Sequence, residues 1–458
     1  MIAIKNKAQL IENGETQRIK RARKLALESL EAALNAVDPK QLLESKLLLQ
    51  NSTLKVDGYF LNLDKVKSIY VVGGGKASGF MAEAVEQILG KRITYGLVNV
   101  PHGSMNRTNR IKLHGANHPV PDEAGVEGTR RMLDIVEHAE RNDLIICLIS
   151  GGGSSLMPLP RGSISLEDKR KITQALLKSG ATINEVNTVR KHISDFKGGW
   201  LAKKAYPATI LNLILSDVVG DPLDFIASGP TVPDSTTFND ALEVLKKYHL
   251  WAATPKSVKK VLSDGEKGII QETPKADDEA FKRVRNVVVG NSRSSSLAAC
   301  EPLKSAGLNT LLLTATLEGE ARHVGVVLAS IAREVSVSGN PVKKPAGIVA
   351  GGEATVTVTG RGLGGRNQEL VLAAASKLKG SDGMVLASLS TDGVDGPTDA
   401  AGAVVDGKTA LRALKMRLAP EKFLAQNNSY RFFSRLSDLI LTGPTGTNVN
   451  DVSVIVVM

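Results

Sequence analysis

Residues 68–89 read SIYVVGGGKASGFMAEAVEQIL and give the clearest indication of the fold. The segment Ser68–Val72, apolar after its first residue, is typical of a buried strand, the glycines at 73–75 predict a tight turn, and Lys76–Leu89 has helical periodicity. A buried strand that passes through glycines into a helix is the first half of a βαβ unit. We therefore expect a parallel sheet covered by helices on both faces, with ligands at the carboxyl ends of its strands.

Similar strands follow along the chain. In the first half they are predicted at Thr94–Val100, Asp143–Ser150 and Thr209–Leu215, and the last two end in polar or glycine-rich turns. A second unit begins after Asp234. It is expected to hold a mixed sheet, because Ala354–Thr359 alternates as a half-exposed antiparallel strand does. Its other predicted strands are Val287–Gly290, Thr310–Leu313, Gly347–Ala350, Met384–Ser390 and Val452–Val457.

Composition narrows the class of partner. The formal net charge is +11, but aromatic residues are only 4% and no nucleic-acid-binding module is recognisable, so small anionic ligands explain the charge better than nucleic acid does. The basic run Arg18–Lys24 is interpreted as the solvated face of an opening helix. Two cysteines without metal-ligand partners predict buried thiols in a reducing compartment. With no membrane-length apolar segment, we expect a cytoplasmic protein that binds no membrane.

Neither common nucleotide motif is complete. Gly73–Lys76 resembles the start of a dinucleotide fingerprint, but Ser78 stands at the last glycine position and the next strand ends at Asn99 without an acidic residue for a ribose. A Walker A loop also fails, because Tyr70 stands at its first glycine and Ala77 follows the lysine. What remains is Lys76 behind three glycines, suited to a phosphate or a carboxylate; a surface lysine after a turn is the alternative.

Three further clusters of polar residues in the first half are candidates for binding or catalysis. Ser150–Ser155 suits a phosphate cradle of backbone N–H groups and hydroxyls, against the alternative of a flexible loop. Residues 187–199 concentrate amides and cations, although a solvated helix face would look similar. Asp217 and Asp221 follow an apolar strand, where one could accept a hydroxyl proton and the other hold Mg²⁺; helix capping competes for Asp221. His118, before Pro119, is interpreted as structural.

The second half has corresponding features. Gly352 and Glu353 follow a strand, and Arg366 opens a helix where it could grip a carboxylate or phosphate with two hydrogen bonds. Residues 391–399 hold three carboxylates, but Ala403 occupies the place where an EF-hand needs glutamate. Metal or ribose contacts and a plain acidic turn both remain open there. Residues 442–448 (TGPTGTN) are the last candidate ligand-binding segment along the chain.

Together these segments resemble the type II glycerate kinase family, whose C-terminal half is the MOFRL domain. The resemblance spans residues 18 to 458, and many long segments in the right order carry it. They are VVGGGKAS at 71–78, NHPVPDE at 117–123, LISGGGSSL at 148–156, NTVRKHIS at 187–194, LSDVVGDPL at 215–223, IASGPTVPD at 226–234, GGEATVTVTG at 351–360, GGRNQEL at 364–370, TDGVDGPTDAAGA at 391–403 and LTGPTGTNVND at 441–451.

The resemblance implies an α/β protein with a Rossmann-like doubly wound parallel sheet domain, placed at 1–237, and a smaller mixed α/β domain, placed at 238–458. It implies an active site in the interdomain cleft and ATP-dependent phosphorylation of D-glycerate at the 2-hydroxyl, with a divalent cation such as Mg²⁺. Lys76, Asp217 and Arg366 match the family's catalytic trio. Alternatives are an NAD(P)H-dependent hydroxypyruvate reductase and a non-catalytic sugar-phosphate-binding protein. A homodimer is one expected oligomeric state of the protein.

The remaining candidate residues fall into three groups. Substrate or phosphate contacts are predicted at Gly74, Gly75, Ser78, Ser150, Gly151, Gly152, Gly153, Ser154, Ser155, Asn187, Arg190, Lys191 and Lys197. Candidate nucleotide contacts are Gly352, Glu353, Gly365, Asn367, Asp392, Gly393, Asp395, Thr445 and Asn448. Candidate metal ligands are Asp217, Asp221 and Asp392.

Overall fold

A computed structural model describes all 458 residues, which divide into two compact units. The Rossmann-like unit is residues 42–289, and the mixed-sheet unit combines residues 1–41 with 290–458. This division differs from the single boundary at 237/238 that was placed from the sequence, because the chain passes between the units at 41/42 and at 289/290. None of the helices combines the length and the apolar character that crossing a membrane requires.

The secondary structure alternates along the chain. The helices are α1 (Lys7–Glu12), α2 (Gln17–Ala36), α3 (Pro39–Lys46), α4 (Ser78–Leu89), α5 (Glu123–Glu137), α6 (Gly153–Leu156), α7 (Leu166–Lys178), α8 (Ile183–His192), α9 (Trp200–Ala205), α10 (Phe238–Lys247), α11 (Lys256–Glu266), α12 (Ser292–Ser305), α13 (Ala321–Ser338), α14 (Arg366–Leu378), α15 (Thr409–Lys415), α16 (Pro420–Ala425) and α17 (Ser429–Leu436). The strands are β1 (Leu48–Gln50), β2 (Thr53–Val56), β3 (Tyr59–Asn62), β4 (Ile69–Gly74), β5 (Tyr95–Pro101), β6 (Ile111–Ala116), β7 (Leu144–Ser150), β8 (Thr209–Leu215), β9 (Val284–Gly290), β10 (Asn309–Leu317), β11 (Ala346–Gly352), β12 (Met384–Ser390), β13 (Gly402–Asp406), β14 (Leu439–Ile440) and β15 (Asp451–Val457).

The main sheet of the Rossmann-like unit has the strand order β6-β5-β4-β7-β8-β9. In order of appearance this is 3-2-1-4-5-6, the order of a doubly wound dinucleotide-type fold. Strand β4 pairs in parallel with both β5 and β7, so the order reverses between β4 and β7. The fully buried β7 explains its uninterrupted apolar sequence. The predicted Rossmann-like sheet is thus confirmed, and its topological switch point lies beside residues 75–76 and 151–153.

The mixed-sheet unit contains the second sheet, in the order β10-β11-β15-β12-β13-β14. Only β10 and β11 pair in parallel, while the other neighbours are antiparallel, so the predicted mixed sheet is confirmed. Strand β15, at the chain's end, lies between β11 and β12 and is buried along its whole length. The start of this strand places Asp451 at the same edge of the sheet as the end of β11.

The first long helix, α2, belongs to this second sheet although it lies at the other end of the sequence. Its apolar residues, including Leu27 and Leu30, share a buried cluster with Val454 of β15 and with residues of α12. The basic run inside α2 is only partly solvated, which corrects its interpretation as a solvated face. Arg23 is fully buried and is paired with Asp406 and Asp438 at 2.6 and 2.8 Å. Burial alone would lower the pKa of Arg23, but the two carboxylates outweigh it and raise it.

The predicted strand at Ala354–Thr359 is wrong. Only Thr355 makes a bridge, to Glu320, and the segment otherwise carries no strand. Its backbone groups find other partners: the Thr355 N–H donates to the carbonyl of Gly319 at 2.8 Å, and the Thr357 N–H donates to the Glu320 carboxylate at 3.1 Å. The alternating pattern therefore belongs to an extended segment that is not part of a sheet. The residues just before α13 accept its hydrogen bonds in place of a neighbouring strand.

Candidate functional site

Two glycine-rich turns meet at the switch point of the Rossmann-like sheet. The backbone N–H of Lys76 donates to the carbonyl of Gly151 at 2.8 Å, and the N–H of Ala77 donates to Ser150 Oγ at 3.0 Å. The hydroxyls of Ser78 and Ser150 lie 3.0 Å apart, and both side chains are buried. These two serines, predicted as phosphate contacts, thus fasten the turn after β4 to the turn after β7.

The glycines before Lys76 allow this close approach. Gly73 and Gly75 have φ values of +141° and +158°. A Cβ at Gly73 would lie 2.2 Å from the carbonyl oxygen of Leu148, and one at Gly75 would lie 2.0 Å from Ser150 Oγ. Any side chain there would separate the two strand ends. At Gly74 a Cβ would meet Met157 at 3.0 Å, so this glycine also serves packing.

Three polar side chains surround the Gly151–Gly152 turn. A Cβ at Gly151 would lie 2.1 Å from Asp217 Oδ2, so this carboxylate packs directly against the glycine backbone. A Cβ at Gly152 would lie 2.9 Å from His118 Nε2 and 3.3 Å from Lys76 Cγ. A cation, an imidazole and a carboxylate from separate loops therefore converge on one turn. Two of the three, Lys76 and Asp217, are predicted catalytic residues.

His118 is the site residue that the sequence interpretation passed over. Burial, followed by the charge of Lys76, lowers its pKa, so a neutral imidazole is favoured at physiological pH. A neutral ring can donate one hydrogen bond and accept another. The only signal in the sequence is the NHPVPDE segment at 117–123, because a single histidine before proline has no spacing that marks it.

The turn continues into α6, which holds Ser154 against a buried network. Ser154 Oγ lies 2.8 Å from Ser228 Oγ, and the Ser228 hydroxyl donates to Asn187 Oδ1 at 3.1 Å. Lys197 Nζ donates to the carbonyl oxygen of Ser154 at 3.1 Å. The predicted phosphate contacts Ser154, Asn187 and Lys197 are thus brought together. Ser155 and Arg190 line the same cavity as Ser154 and Lys197.

Lys191 has a different position from its neighbour Arg190. Its side chain is 4% exposed and pairs with the fully buried carboxylate of Asp234 at 3.3 Å, with Asp224 at 3.6 Å. The ammonium group therefore already has counter-ions within the unit. This ion pair ties α8 to the 224–234 segment.

In the mixed-sheet unit, Arg366 occupies the first position of α14 and is held by two carboxylates. Its Nε and Nη2 donate to Asp451 at 2.6 and 3.0 Å, a two-point contact, and Nη1 donates to Glu353. Burial opposes the charge of Arg366, but Asp451 and Glu353 raise its pKa. Burial raises the pKa of Asp451 to about 7, and Arg366 offsets part of that rise. The guanidinium is therefore oriented by groups that end β11 and begin β15.

The N-terminus of α14 is already capped. The backbone N–H groups of Asn367 and Gln368 donate to the carboxylate of Asp395 at 3.0 and 2.8 Å. A Cβ at Gly365 would lie 2.3 Å from the carboxyl carbon of Asp395. Asn367 also accepts from Ser388 Oγ at 2.5 Å. Three residues predicted as nucleotide contacts thus contact one another in the structure. They are Gly365, Asn367 and Asp395.

The other candidate nucleotide residues lie in two loops that contact each other. The Thr445 N–H donates to the carbonyl of Asp392 at 3.2 Å, and a Cβ at Gly393 would lie 2.1 Å from the carbonyl of Gly443. Asp392 Oδ1 accepts from the Val394 N–H at 3.0 Å. In the same region Asn448 Oδ1 accepts from the Asn450 N–H at 3.3 Å. At Gly352 a Cβ would lie 2.2 Å from Leu317 N, so that glycine permits close strand contact.

No group of three or more His, Cys, Asp or Glu side chains is arranged to hold a metal ion. Among the candidate metal ligands, Asp217 lies at the switch point, and Asp221 follows it in the same turn with a φ of +56°. Asp392 lies in the other unit. Magnesium that arrives with a nucleotide needs only one or two protein carboxylates, because phosphates and water complete its shell, so Asp217 fits such a role.

Comparison with known proteins gives a consistent result over nearly the whole chain. Residues 25–263 match the family described as a domain of unknown function, DUF4147, and residues 346–451 match the MOFRL family. A D-glycerate 2-kinase from Thermotoga maritima is 45% identical over 430 residues, covering 94% of this chain and 97% of the relative. The crystal structure of a glycerate kinase from Thermotoga maritima has a TM-score of 0.85 at 43% identity, covering 95% of this chain and 99% of that one. A putative hydroxypyruvate reductase from Agrobacterium vitis is 44% identical over 389 residues, covering 84% and 86%.

Proposed function

The chain belongs to the glycerate kinase family, and on that premise we propose that it transfers the terminal phosphoryl group of ATP to the 2-hydroxyl of D-glycerate, giving 2-phospho-D-glycerate and ADP. The observation that carries the proposal is the convergence of Lys76, His118 and Asp217 on the Gly151–Gly152 turn at the switch point of the Rossmann-like sheet. Ligands of such sheets bind outside the carboxyl ends of the strands at this point.

The roles follow from the chemistry of phosphoryl transfer, which asks a protein mainly for positioning and charge neutralisation. Asp217 accepts or orients the proton of the attacking hydroxyl, since it is the carboxylate beside the turn. Lys76 neutralises negative charge on the group in transfer. Backbone N–H groups of 151–153 and the hydroxyls of Ser154 and Ser155 hold phosphate oxygens. His118, neutral next to Lys76, is available to donate a hydrogen bond to the substrate.

Arg366 enters the proposal through the family resemblance, as the third catalytic residue. Its two-point contact with Asp451 fixes the plane of the guanidinium before any substrate binds. Glu353 contacts Nη1 from the end of β11. A cation held in this way is pre-oriented for an anionic group.

Magnesium is the divalent cation that the proposal includes, and when bound with the nucleotide it would reduce the negative charge on the phosphates. Asp217 and Asp221 are the carboxylates proposed to hold it in the Rossmann-like unit, and Asp392 in the mixed-sheet unit. We retain Glu353, Asp392, Gly393, Thr445 and Asn448 as candidate nucleotide contacts. The cytoplasmic location and a homodimeric state also stay predictions.

A reductase is the second candidate, because the strand order of the main sheet is that of dinucleotide-binding proteins. The groups at the carboxyl ends of the strands argue against it. Ser78 fills the third glycine position and is buried against Ser150. At the end of β5 the Asn99 amide donates to the buried carbonyls of Leu156 and Gly125 at 2.7 and 3.2 Å, where a ribose-binding carboxylate would stand.

The decisive assay supplies D-glycerate, ATP and Mg²⁺ and separates 2-phosphoglycerate from 3-phosphoglycerate among the products. We expect stoichiometric ADP and 2-phosphoglycerate, and no oxidation of NADH or NADPH with hydroxypyruvate at 340 nm. Formation of 3-phosphoglycerate alone would refute the assigned regiochemistry. Hydroxypyruvate-dependent NAD(P)H oxidation without ADP formation would replace the kinase by a reductase. Ligand binding without any turnover would support a non-catalytic sugar-phosphate-binding protein instead.

A further inference from the structure

A cavity of about 470 Å³ lies in the Rossmann-like unit beside α6. Its walls come from residues 119–121, from Ser154 and Ser155, and from α7 and α8. Five cationic side chains line it, together with a single carboxylate, Glu167. That carboxylate lies 3.5 Å from Lys171 and 4.0 Å from Arg170, so it is the counter-ion of these two cations.

The other three cations that line the cavity have no carboxylate within ion-pairing distance. They are Lys169, Arg190 and Lys197. Lys169 Nζ donates only to backbone carbonyls, those of Ile193 and Leu159 at 3.0 and 3.3 Å. Lys197 Nζ donates to Ser154 and to the carbonyl of Ala227 at 3.3 Å. The guanidinium of Arg190 has neither a hydrogen-bond acceptor nor an ion-pair partner in the structure.

This arrangement is unfavourable in the absence of an anion, because buried charges are normally paired. Burial, aided by the nearby charge of Arg190, lowers the pKa of Lys169 to about 7. Burial and the charges of Lys169 and Arg190 lower the pKa of Lys197 well below its usual range. By contrast, Lys191, one residue from Arg190, is paired with Asp234 at 3.3 Å. The wall of this cavity therefore carries three basic groups without counter-ions, and a bound anion would favour their charged forms.

We propose that this cavity binds the phosphate chain of the nucleoside triphosphate donor, with Lys169, Arg190 and Lys197 as its counter-ions. The inference rests on the proposed kinase function and names the donor site within it. Lys169 is new to the site: no sequence pattern separates it from the exposed lysines of α7.

Size and charge favour a nucleotide over the acceptor. A cavity of about 470 Å³ is in the usual range for cofactor-sized ligands, whereas glycerate is a small monoanion of three carbons and four oxygens that needs neither the volume nor three cations. The rim is apolar, with Val120 and Leu177 both more than half exposed, which suits the flat face of a base. Ser154 and Ser155 continue directly from Gly151–Gly153, where Asp217 and Lys76 converge. A phosphate chain along these residues would place its terminal group by that turn.

The mixed-sheet unit offers less for a phosphate chain. The anion position at the N-terminus of α14 is filled by Asp395, which accepts from two backbone N–H groups. The loop carboxylates there, such as the half-buried Asp392, would repel phosphates unless a cation intervened. The two locations thus make different predictions for nucleotide affinity.

The test measures ATP binding directly, by isothermal titration calorimetry on the full chain without glycerate. Lys169→Met and Arg190→Met keep the apolar stems and remove the charges. Each is expected to weaken ATP binding by about 10- to 100-fold, the loss for one charged hydrogen bond at roughly tenfold per 1.4 kcal/mol. Arg190→Lys should retain most of the affinity. The matched control is Lys178→Met, an exposed lysine of the same helix α7 that does not line the cavity, and it should bind like wild type.

Competition identifies the part of the nucleotide that is recognised. Tripolyphosphate should displace ATP from wild type and lose affinity in Lys169→Met, whereas adenosine should bind weakly to both. Unchanged ATP affinity in Lys169→Met and Arg190→Met, or a raised KM for D-glycerate with unchanged ATP affinity, would overturn the proposal. Weaker ATP binding in Asp392→Asn alone would also overturn it, in favour of the mixed-sheet unit. The binding experiments contain no acceptor, so their outcomes do not depend on whether glycerate is the substrate, which the product assay tests separately.

Discussion

Arg366 in the mixed-sheet unit and Arg190 in the Rossmann-like unit are both largely shielded arginines that the sequence marks as anion ligands, yet their surroundings differ. Arg366 donates to Asp451 at two points and to Glu353. Arg190 has no acceptor and lies near two buried lysines, Lys169 and Lys197. Burial lowers the pKa of Arg190, while the carboxylates raise that of Arg366.

The difference separates two uses of a buried cation. A paired arginine is held in one orientation and contributes to stability through its partners, because removing it would leave carboxylates without a counter-charge. An unpaired cluster of cations lowers the stability of the empty protein and gains its counter-charge from a ligand. Arg23, paired with Asp406 and Asp438 in the mixed-sheet unit, belongs to the first kind. Lys169, Arg190 and Lys197 belong to the second.

The largest expected effect tests whether the switch-point turn carries the chemistry at all. Lys76→Ala should lower kcat by about 10²–10³-fold, the usual cost of losing one electrostatic donor to the transition state. Steady-state kinetics with saturating ATP and D-glycerate measures it. Lys112→Ala, an exposed lysine on the edge strand β6, is the control. Near-normal kcat in Lys76→Ala would remove this lysine from the mechanism.

The next effect addresses the comparison of the two arginines itself. Arg366→Met should lower the free energy of unfolding by about 3 kcal/mol, because Asp451 is left buried without its cation. Arg190→Met should change it by less than about 0.5 kcal/mol or raise it, because the substitution removes repulsion from the cluster. Urea denaturation of both variants beside wild type gives the two values. Equal losses in the two variants would show that Arg190 is as well compensated as Arg366.

The smallest effect is a pH dependence of stability without ligand. The pKa of Lys169 is about 7 in the folded protein and 10.5 when unperturbed, so above pH 7 the unfolded chain binds the extra proton. Stability should therefore rise with pH from about 7 towards 10, by about 1 kcal/mol between pH 7 and 8. The charged groups that face Lys169 are Arg190, Asp195 and Lys197. Urea midpoints at pH 7 and 8 test this; in Lys169→Met the rise should shrink, and an identical slope in the two proteins would contradict the assignment.

Much of the fold could be predicted because its signals are local. Strand β8 has the predicted bounds Thr209–Leu215, and β12 has the predicted bounds Met384–Ser390. An apolar run that ends in glycine or a polar turn needs no distant partner to be recognised. The alternation at Ala354–Thr359 misled for the same reason: a local pattern indicates an extended chain but does not supply a neighbouring strand. The placement of α2 on the second sheet was not visible, since it depends on packing across more than 400 residues of sequence.

The site divides in the same way. Lys76, Gly151–Gly153 and Asp217 could be singled out because each follows a strand that the sequence marks, and parallel strands bring their carboxyl ends together. His118 and Lys169 could not. One lies in a loop between elements, and the other is one of several lysines on an amphipathic helix. The serines 78 and 150 were recognised as important, but their use in joining two turns depends on a 3.0 Å contact that only folding creates.

From the amino-acid sequence, many of the buried strands, the glycine turns and the family of this protein could be predicted. These features are encoded by neighbouring residues, through side-chain periodicity and the conformations that glycine allows. Which charges are buried, and which of the buried charges are paired, became visible only in the folded structure. Burial and pairing depend on groups brought together from distant parts of the chain, and the free energy of a charge is set by those neighbours rather than by its residue type.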